Sequence, residues 1–174
     1  MIRVVILGES LSGKTSLFDT LVYGGWHDSF CTTVTPSFGK YLDKYILFDT
    51  PGAERWVHFA TPYIKVADAA IIVYDVEKGH HSVDKWKKIL FGRNGKELPV
   101  LVVGNKIDLR TVEKKENVLY ISCKKETNIG GKLQPFLDTL EHNPKILIGW
   151  MEYVYLLLPT VEDVIDRIPE CLHQ

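Results

Sequence analysis

Eight residues near the start of the chain, Gly8-Glu9-Ser10-Leu11-Ser12-Gly13-Lys14-Thr15, carry its clearest chemistry. They fit G-x-x-x-x-G-K-[ST], a loop whose backbone N–H groups cradle phosphate. Gly8 and Gly13 permit turns closed to larger residues, so successive N–H groups face inward and meet the positive end of a helix. Lys14 adds a full charge for β- and γ-phosphates, and the Thr15 hydroxyl suits Mg²⁺. The contacting set is taken to run on to Ser16. The plain alternative is a glycine-rich turn that binds nothing, and a full match between strand and helix disfavours it. These residues imply a nucleoside di- or triphosphate.

A second group reads the base. Asn105-Lys106-Ile107-Asp108 follows the apolar run Val100–Val103. A carboxylate at 108 accepts hydrogen bonds from guanine's N1–H and exocyclic amine, whereas adenine would leave the charge unpaired. Asn105 can brace the loop, and the Lys106 stem can lie over the purine face. Alone, N-K-x-D is a common polar turn; behind a phosphate loop it becomes specific. Ser122-Cys123-Lys124 follows another short strand and can offer backbone N–H groups to the guanine carbonyl. Trp26, twelve residues after Lys14, fits either a wall for the base or ribose, or a core aromatic.

The elements that must position these groups alternate. A strand (Arg3–Leu7) leads to a helix (Thr15–Leu21), an irregular stretch (Tyr23–Pro36) and a hairpin. Its strands are Ser37–Tyr41 and Tyr45–Phe48, turning at Leu42-Asp43-Lys44. Then come a loop and helix (Gly52–Val66), a strand (Ala69–Tyr74), a helix (Ser82–Leu90), strands Val100–Val103 and Val118–Ile121, and a helix (Lys132–Leu140). In that last helix Leu133, Phe136, Leu137 and Leu140 share one face. The pattern predicts an α/β fold, a mostly parallel six-stranded sheet with helices on both faces and its ligand at the strands' carboxyl ends.

Bulk properties agree. A chain of 174 residues suits one main domain, and a net charge of −1 gives no basic field for nucleic acid. Three scattered cysteines (Cys31, Cys123, Cys171) suggest neither a disulfide framework nor a metal site, and fit a reducing cytosol or nucleus. The N-terminal apolar run is only a strand long, so no signal peptide is expected.

With these motifs in this order, residues 1–142 resemble a small GTPase of the Ras superfamily, most similar to the Rab branch. Asp49-Thr50-Pro51-Gly52 falls in its place, and Glu54-Arg55-Trp56 through Tyr63-Ile64-Lys65-Val66-Ala67 is similar to the Rab pattern. The resemblance implies a P-loop NTPase fold, GTP or GDP with Mg²⁺ as ligands, and a switch role in vesicle trafficking or signalling. It implies Thr15, Asp49 and a switch threonine as metal groups. Counting from Lys14 gives Thr33, with Thr35 and then Thr32 as alternatives. Lys14, Thr33 and Gly52 would stabilise the transferred phosphate. Phe38, Phe48 and Tyr63 sit where Rabs carry an effector-facing aromatic triad. Effectors at the switches, an exchange factor and an activating protein are the implied partners of a monomer in the cytoplasm, with peripheral membrane contact as an addition.

Three features depart from the family. Ala53 stands where a glutamine positions the attacking water, so slow hydrolysis is expected. A largely GTP-locked binding module that recruits effectors is the alternative; an ATP-using phosphotransferase is a third class that Asp108 disfavours. Leu11 replaces a frequent glycine, and the hairpin is several residues short. His80 and His81 read as loop caps. Beyond Asn143-Pro144 the likeness ends. Ile146–Leu158 is nearly all apolar, but thirteen residues are too few to span a bilayer as a helix, which takes about twenty. Residues 144–174 are expected to form one or two extra helices packed on a domain of residues 1–143, with a docking or membrane-contacting helix as the rival. Cys171 lies four from the end, but His173 and the acidic neighbours argue against prenylation.

Overall fold

The computed structural model describes residues 1–26, 33–53, 56–126 and 128–140. Expectations for residues 144–174, Cys31, Thr32, Glu54 and Arg55 lie outside the described residues.

Six strands form one sheet: β1 (Ile2–Leu7), β2 (Ser37–Tyr41), β3 (Tyr45–Asp49), β4 (Ala69–Asp75), β5 (Val100–Asn105) and β6 (Val118–Tyr120). Their spatial order is β2-β3-β1-β4-β5-β6. Only the β2–β3 pair is antiparallel; the other four pairings are parallel. β1 and β4 are buried along their whole length. Helices cover both faces of a central parallel strand, and the unbroken apolar runs in β1 and β4 are the consequence. Chain order reverses around β1, which opens a crevice at the carboxyl end of the central strands.

Among the described residues four helices flank the sheet: α1 (Lys14–Tyr23), α2 (Val57–Val66), α3 (Ser82–Asn94) and α4 (Ile129–Asp138). Leu17, Phe18 and Leu21 of α1 join Leu133 and Leu137 of α4 over Val4, Ile6, Leu47, Ile71 and Val103 in one apolar cluster. On the other face α2 and α3 touch each other and the sheet, burying Ala60, Ile64, Val83, Trp86 and Leu90. Arg3 and Asp68 lock the entry of β4 onto β1. The Arg3 backbone N, Nε and Nη2 all donate to that carboxylate, at 3.0, 2.9 and 2.8 Å.

Element types match the expectation, and several ends shift. α3 runs to Asn94, past Leu90, and stops at Gly95 in the left-handed region, φ 78°. β5 continues through Asn105, whereas β6 ends at Tyr120. α4 begins at Ile129, where the Asn128 side chain caps it by accepting from Gly131 N. Residues 106–117, which connect parallel β5 and β6, contain no helix. A loop makes this crossover, held by Tyr120 Oη, which accepts from Lys115 N at 3.0 Å.

Candidate functional site

The loop between β1 and α1 is built as its spacing requires. Gly8 has φ 147°, and a Cβ there would lie 2.0 Å from Val73 O. Gly13 has φ 92°, and its Cβ would lie 2.1 Å from Asn105 Nδ2. Neither position admits a side chain. Leu11 is left-handed as well (φ 63°), and its side chain is 58% exposed at the loop's tip. Lys14 is buried and donates from Nζ to Glu9 O at 2.7 Å, so the loop closes around its own ammonium. Burial pulls its pKa down to about 8, against the opposing pull of Asp49 and Glu9. A buried ammonium in a ring of main chain is a site for an anion.

Three oxygens gather at the start of α1. Thr15 Oγ1 donates to Asp49 Oδ2 at 2.6 Å and lies 2.6 Å from Thr33 Oγ1. A hydroxyl has one proton, so with Thr15 donating to Asp49, Thr33 donates to Thr15. The other carboxylate oxygen, Asp49 Oδ1, is buried without a hydrogen-bond partner among the described residues. Burial raises the Asp49 pKa, opposed by the Thr15 hydrogen bond and Lys14. One orphaned carboxylate oxygen beside two hydroxyls is a hard donor set, and it fits Mg²⁺, which takes few protein ligands and leaves room for phosphate. Among the described residues no group of three His, Cys, Asp or Glu side chains could hold a metal by itself. Thr33, rather than Thr35, makes the contact with Thr15.

Gly52 completes the phosphate end. A Cβ there would meet Lys14 Nζ at 2.4 Å, Glu9 C at 2.5 Å and Ser10 N at 2.6 Å. The loop after β3 thus lies directly on the phosphate loop, and Thr50 Oγ1 ties it down by donating to Ile6 O at 2.6 Å. Ala53 follows with only a methyl group to offer. Ser12 Oγ is buried without a partner.

Asn105, at the end of β5, joins the two halves. Its Nδ2 donates to Ser12 O at 3.1 Å, while its Oδ1 accepts from Lys106 N at 2.8 Å and Cys123 N at 3.1 Å. Ser122 Oγ donates to Asp108 Oδ1 at 2.6 Å, and that bond is the main cause holding the Asp108 carboxyl below its usual range. Cys123 is buried, and burial pushes its thiol up to about 12, so it stays neutral. Of the two roles open to Trp26, the packing against the core is the one seen. Lys124 Nζ lies 5.3 Å from the Trp26 ring centroid.

Sequence reasoning missed the tie between Asp75 and Lys106. Asp75 Oδ2 accepts from Lys106 Nζ at 2.8 Å. The available signal was positional, because Asp49, Asp75 and Asn105 are the last residues of β3, β4 and β5. Other surface readings change. Of the three aromatics likened to an effector triad, only Phe38 is exposed, at 59%. Phe48 is enclosed between β2 and β1 with its ring centroid 5.1 Å from that of buried Tyr63. His81 is the N-cap residue of α3 without a side-chain cap bond, and His80 sets its ring edge-on to Tyr74.

A mostly parallel sheet with a glycine-rich loop at its switch point, a lysine inside that loop and an acid-bearing loop two strands away defines an α/β P-loop nucleotide-binding protein. Comparison with known sequences narrows this. The Ras family pattern matches residues 3–129. Rab-31 of Rattus norvegicus is 31% identical over 120 residues, 64% of this chain and 62% of that protein. Rab-21 of Homo sapiens is 37% identical over 117 residues, 62% of this chain and 52% of that protein. The Ypt/Rab-type GTPase avaA of Emericella nidulans is 30% identical over 159 residues, 80% of this chain and 73% of that protein. The chain belongs to the Ras family of small GTPases, among Rab-type relatives, and its matches span between half and two thirds of the lengths of Rab-21 and Rab-31.

Proposed function

We propose that this chain is a guanine-nucleotide switch that binds GTP and GDP with Mg²⁺ and hydrolyses GTP slowly. The observation that carries it is Asn105, one side chain tying the loop around a buried lysine to the loop that presents Asp108. A base and a phosphate tail are thereby read by one rigid unit. Lys14, the backbone N–H groups of residues 8–16 and Gly52 face the phosphates. Asp108 accepts from the guanine edge, with Lys106, Ser122, Cys123, Lys124 and Trp26 around it. Thr15, Thr33 and Asp49 would hold Mg²⁺, which would offset negative charge on the phosphates. Losing the γ-phosphate removes the group that Thr33 and Gly52 both address, which frees the two switches. By family likeness the switches meet effectors, an exchange factor and an activating protein in membrane trafficking.

Hydrolysis needs water at the γ-phosphorus as the bridge to GDP breaks. Ala53 can neither orient that water nor relay its proton. The same residue supports the second reading, a GTP-locked module without significant turnover. Single-turnover hydrolysis by wild type and Ala53→Gln decides. The proposed switch hydrolyses slowly and gains at least tenfold from the substitution. No turnover in the wild type leaves the module, and turnover that appears only in Ala53→Gln assigns the loss to that residue. Competition between GDP and ADP tests the base, and preference for ADP overturns both readings.

A further inference from the structure

Lys106 has a backbone conformation that lysine adopts rarely, φ 69°. Such a residue persists only when its surroundings over-determine it. Two ties do so here. Its backbone N donates to Asn105 Oδ1 at 2.8 Å, and its Nζ donates to Asp75 Oδ2 at 2.8 Å. This left-handed residue turns the chain out of β5 into the loop that carries Asp108 two positions later. The turn closes with Leu109 N donating to Lys106 O at 3.0 Å.

Asp75 is a firm post for that tie. Its side chain is 5% exposed against 32% for Lys106. Its Oδ1 accepts from Glu77 N at 2.9 Å, and its carbonyl accepts from Lys78 N and Gly79 N, both at 3.1 Å. It sits beside Asn105 in the β4–β5 register, and Val76 N donates to Asn105 O at 3.1 Å. The carboxylate is therefore fixed before the lysine arrives. A tether between two floppy exposed groups gives little order; one end held in the sheet gives much more.

We propose that Asp75 is a positioning residue for guanine recognition, acting through Lys106. It holds the lysine head so that the stem stays across the base site and the turn keeps Asp108 aimed at the purine edge. The inference rests on the guanine-binding reading above and adds a residue to it. The rival role for Asp75 is purely local, as a cap for the turn after β4 through Glu77 N.

Asp75→Asn separates the two roles, because the amide keeps an acceptor for Glu77 N and loses the charge that holds Lys106. The readouts are release of a fluorescent GDP analogue from the full chain, the affinity ratio of GDP to inosine diphosphate, which lacks the exocyclic amine, and nucleotide-free thermal unfolding. Asp75→Asn releases the analogue at least tenfold faster and narrows the GDP-to-inosine-diphosphate ratio at least threefold, with unfolding little changed. Lys106→Met keeps the stem, loses the tether and has the same sign. In the Lys106→Met background Asp75→Asn adds less than twofold. Should Asp75→Asn fail to fold, Lys106→Met alone reads the tether. Wild-type binding with unchanged release and ratio in both variants overturns the positioning role and leaves guanine binding intact. A wild type that does not bind GDP overturns both.

Discussion

Lys14 holds its charge at a cost, since burial brings its pKa down to about 8, and bound phosphates would restore it. In the nucleotide-free protein the lysine loses its proton above pH 8, while in the complex it keeps it. Binding above that pH therefore takes up a proton, and affinity falls by up to tenfold per unit. GDP binding is expected to weaken roughly sevenfold between pH 7 and pH 8.8, measured by fluorescence titration. Nucleotide-free stability moves the other way. The unfolded lysine still binds a proton between pH 8 and 10.5 and the folded one does not, so this group's contribution rises over that window. Gly52 is the second residue with little freedom, since a methyl group would push on the Glu9 backbone as well as on Lys14. Gly52→Ala is expected to weaken GDP about 10–100-fold, the equivalent of overpacking by roughly 1–3 kcal/mol; unchanged affinity would show that the two loops part freely. The placement of Gly8, Gly13, Lys14 and Asp108 in loops at the strand ends was legible because residue type and spacing coincide there. The tie between Asp75 and Lys106 was not, because the two lie thirty-one positions apart and no local pattern marks an acid that ends a buried strand.

Elements were legible where apolar periodicity is long, and their ends were not. The expected helix begins at Lys132, and α4 begins at Ile129: two glycines of poor helix propensity lie between, and the signal that mattered was the Asn128 cap. Pro62 and Pro135 sit inside α2 and α4, where local propensity argues against a helix and burial of one face overrides it. The hairpin showed clearly in the sequence, including its turn, but not the strain in that turn. Leu42 and Asp43 have φ of 50° and 49°, a region that costs a leucine roughly 1–2 kcal/mol. The Leu42 side chain is exposed, so it recovers little of this by packing. Asparagine tolerates that conformation better. Leu42→Asn is expected to stabilise the fold by about 1 kcal/mol in urea unfolding, with GDP affinity unchanged. A loss of stability would mean that Leu42 packs in solution.

At the scale of the molecule, the site is assembled from the carboxyl ends of β1, β3, β4 and β5, one apolar sheet presenting polar groups at one edge. Asp49 Oδ1 and Ser12 Oγ are buried there without a hydrogen-bond partner among the described residues, and Lys14 is buried nearby. Each of the two oxygens opposes folding by roughly 1–3 kcal/mol until a ligand satisfies it. A ligand that does so would add to the stability of the fold. Whatever binds the folded chain alone stabilises it by RT ln(1 + [L]/Kd), about 4 kcal/mol at a thousandfold excess over Kd. For a chain of this size that raises the melting temperature by roughly 8–16 °C. GDP with Mg²⁺ is expected to give a shift of this order and ADP with Mg²⁺ almost none. Chelating the metal should remove part of the GDP shift, because Asp49 Oδ1 is again without a partner. Equal shifts with GDP and ADP would mean that the sheet edge holds phosphate and that Asp108 does not select the base. A GDP shift indifferent to chelation would mean that Thr15, Thr33 and Asp49 serve only each other.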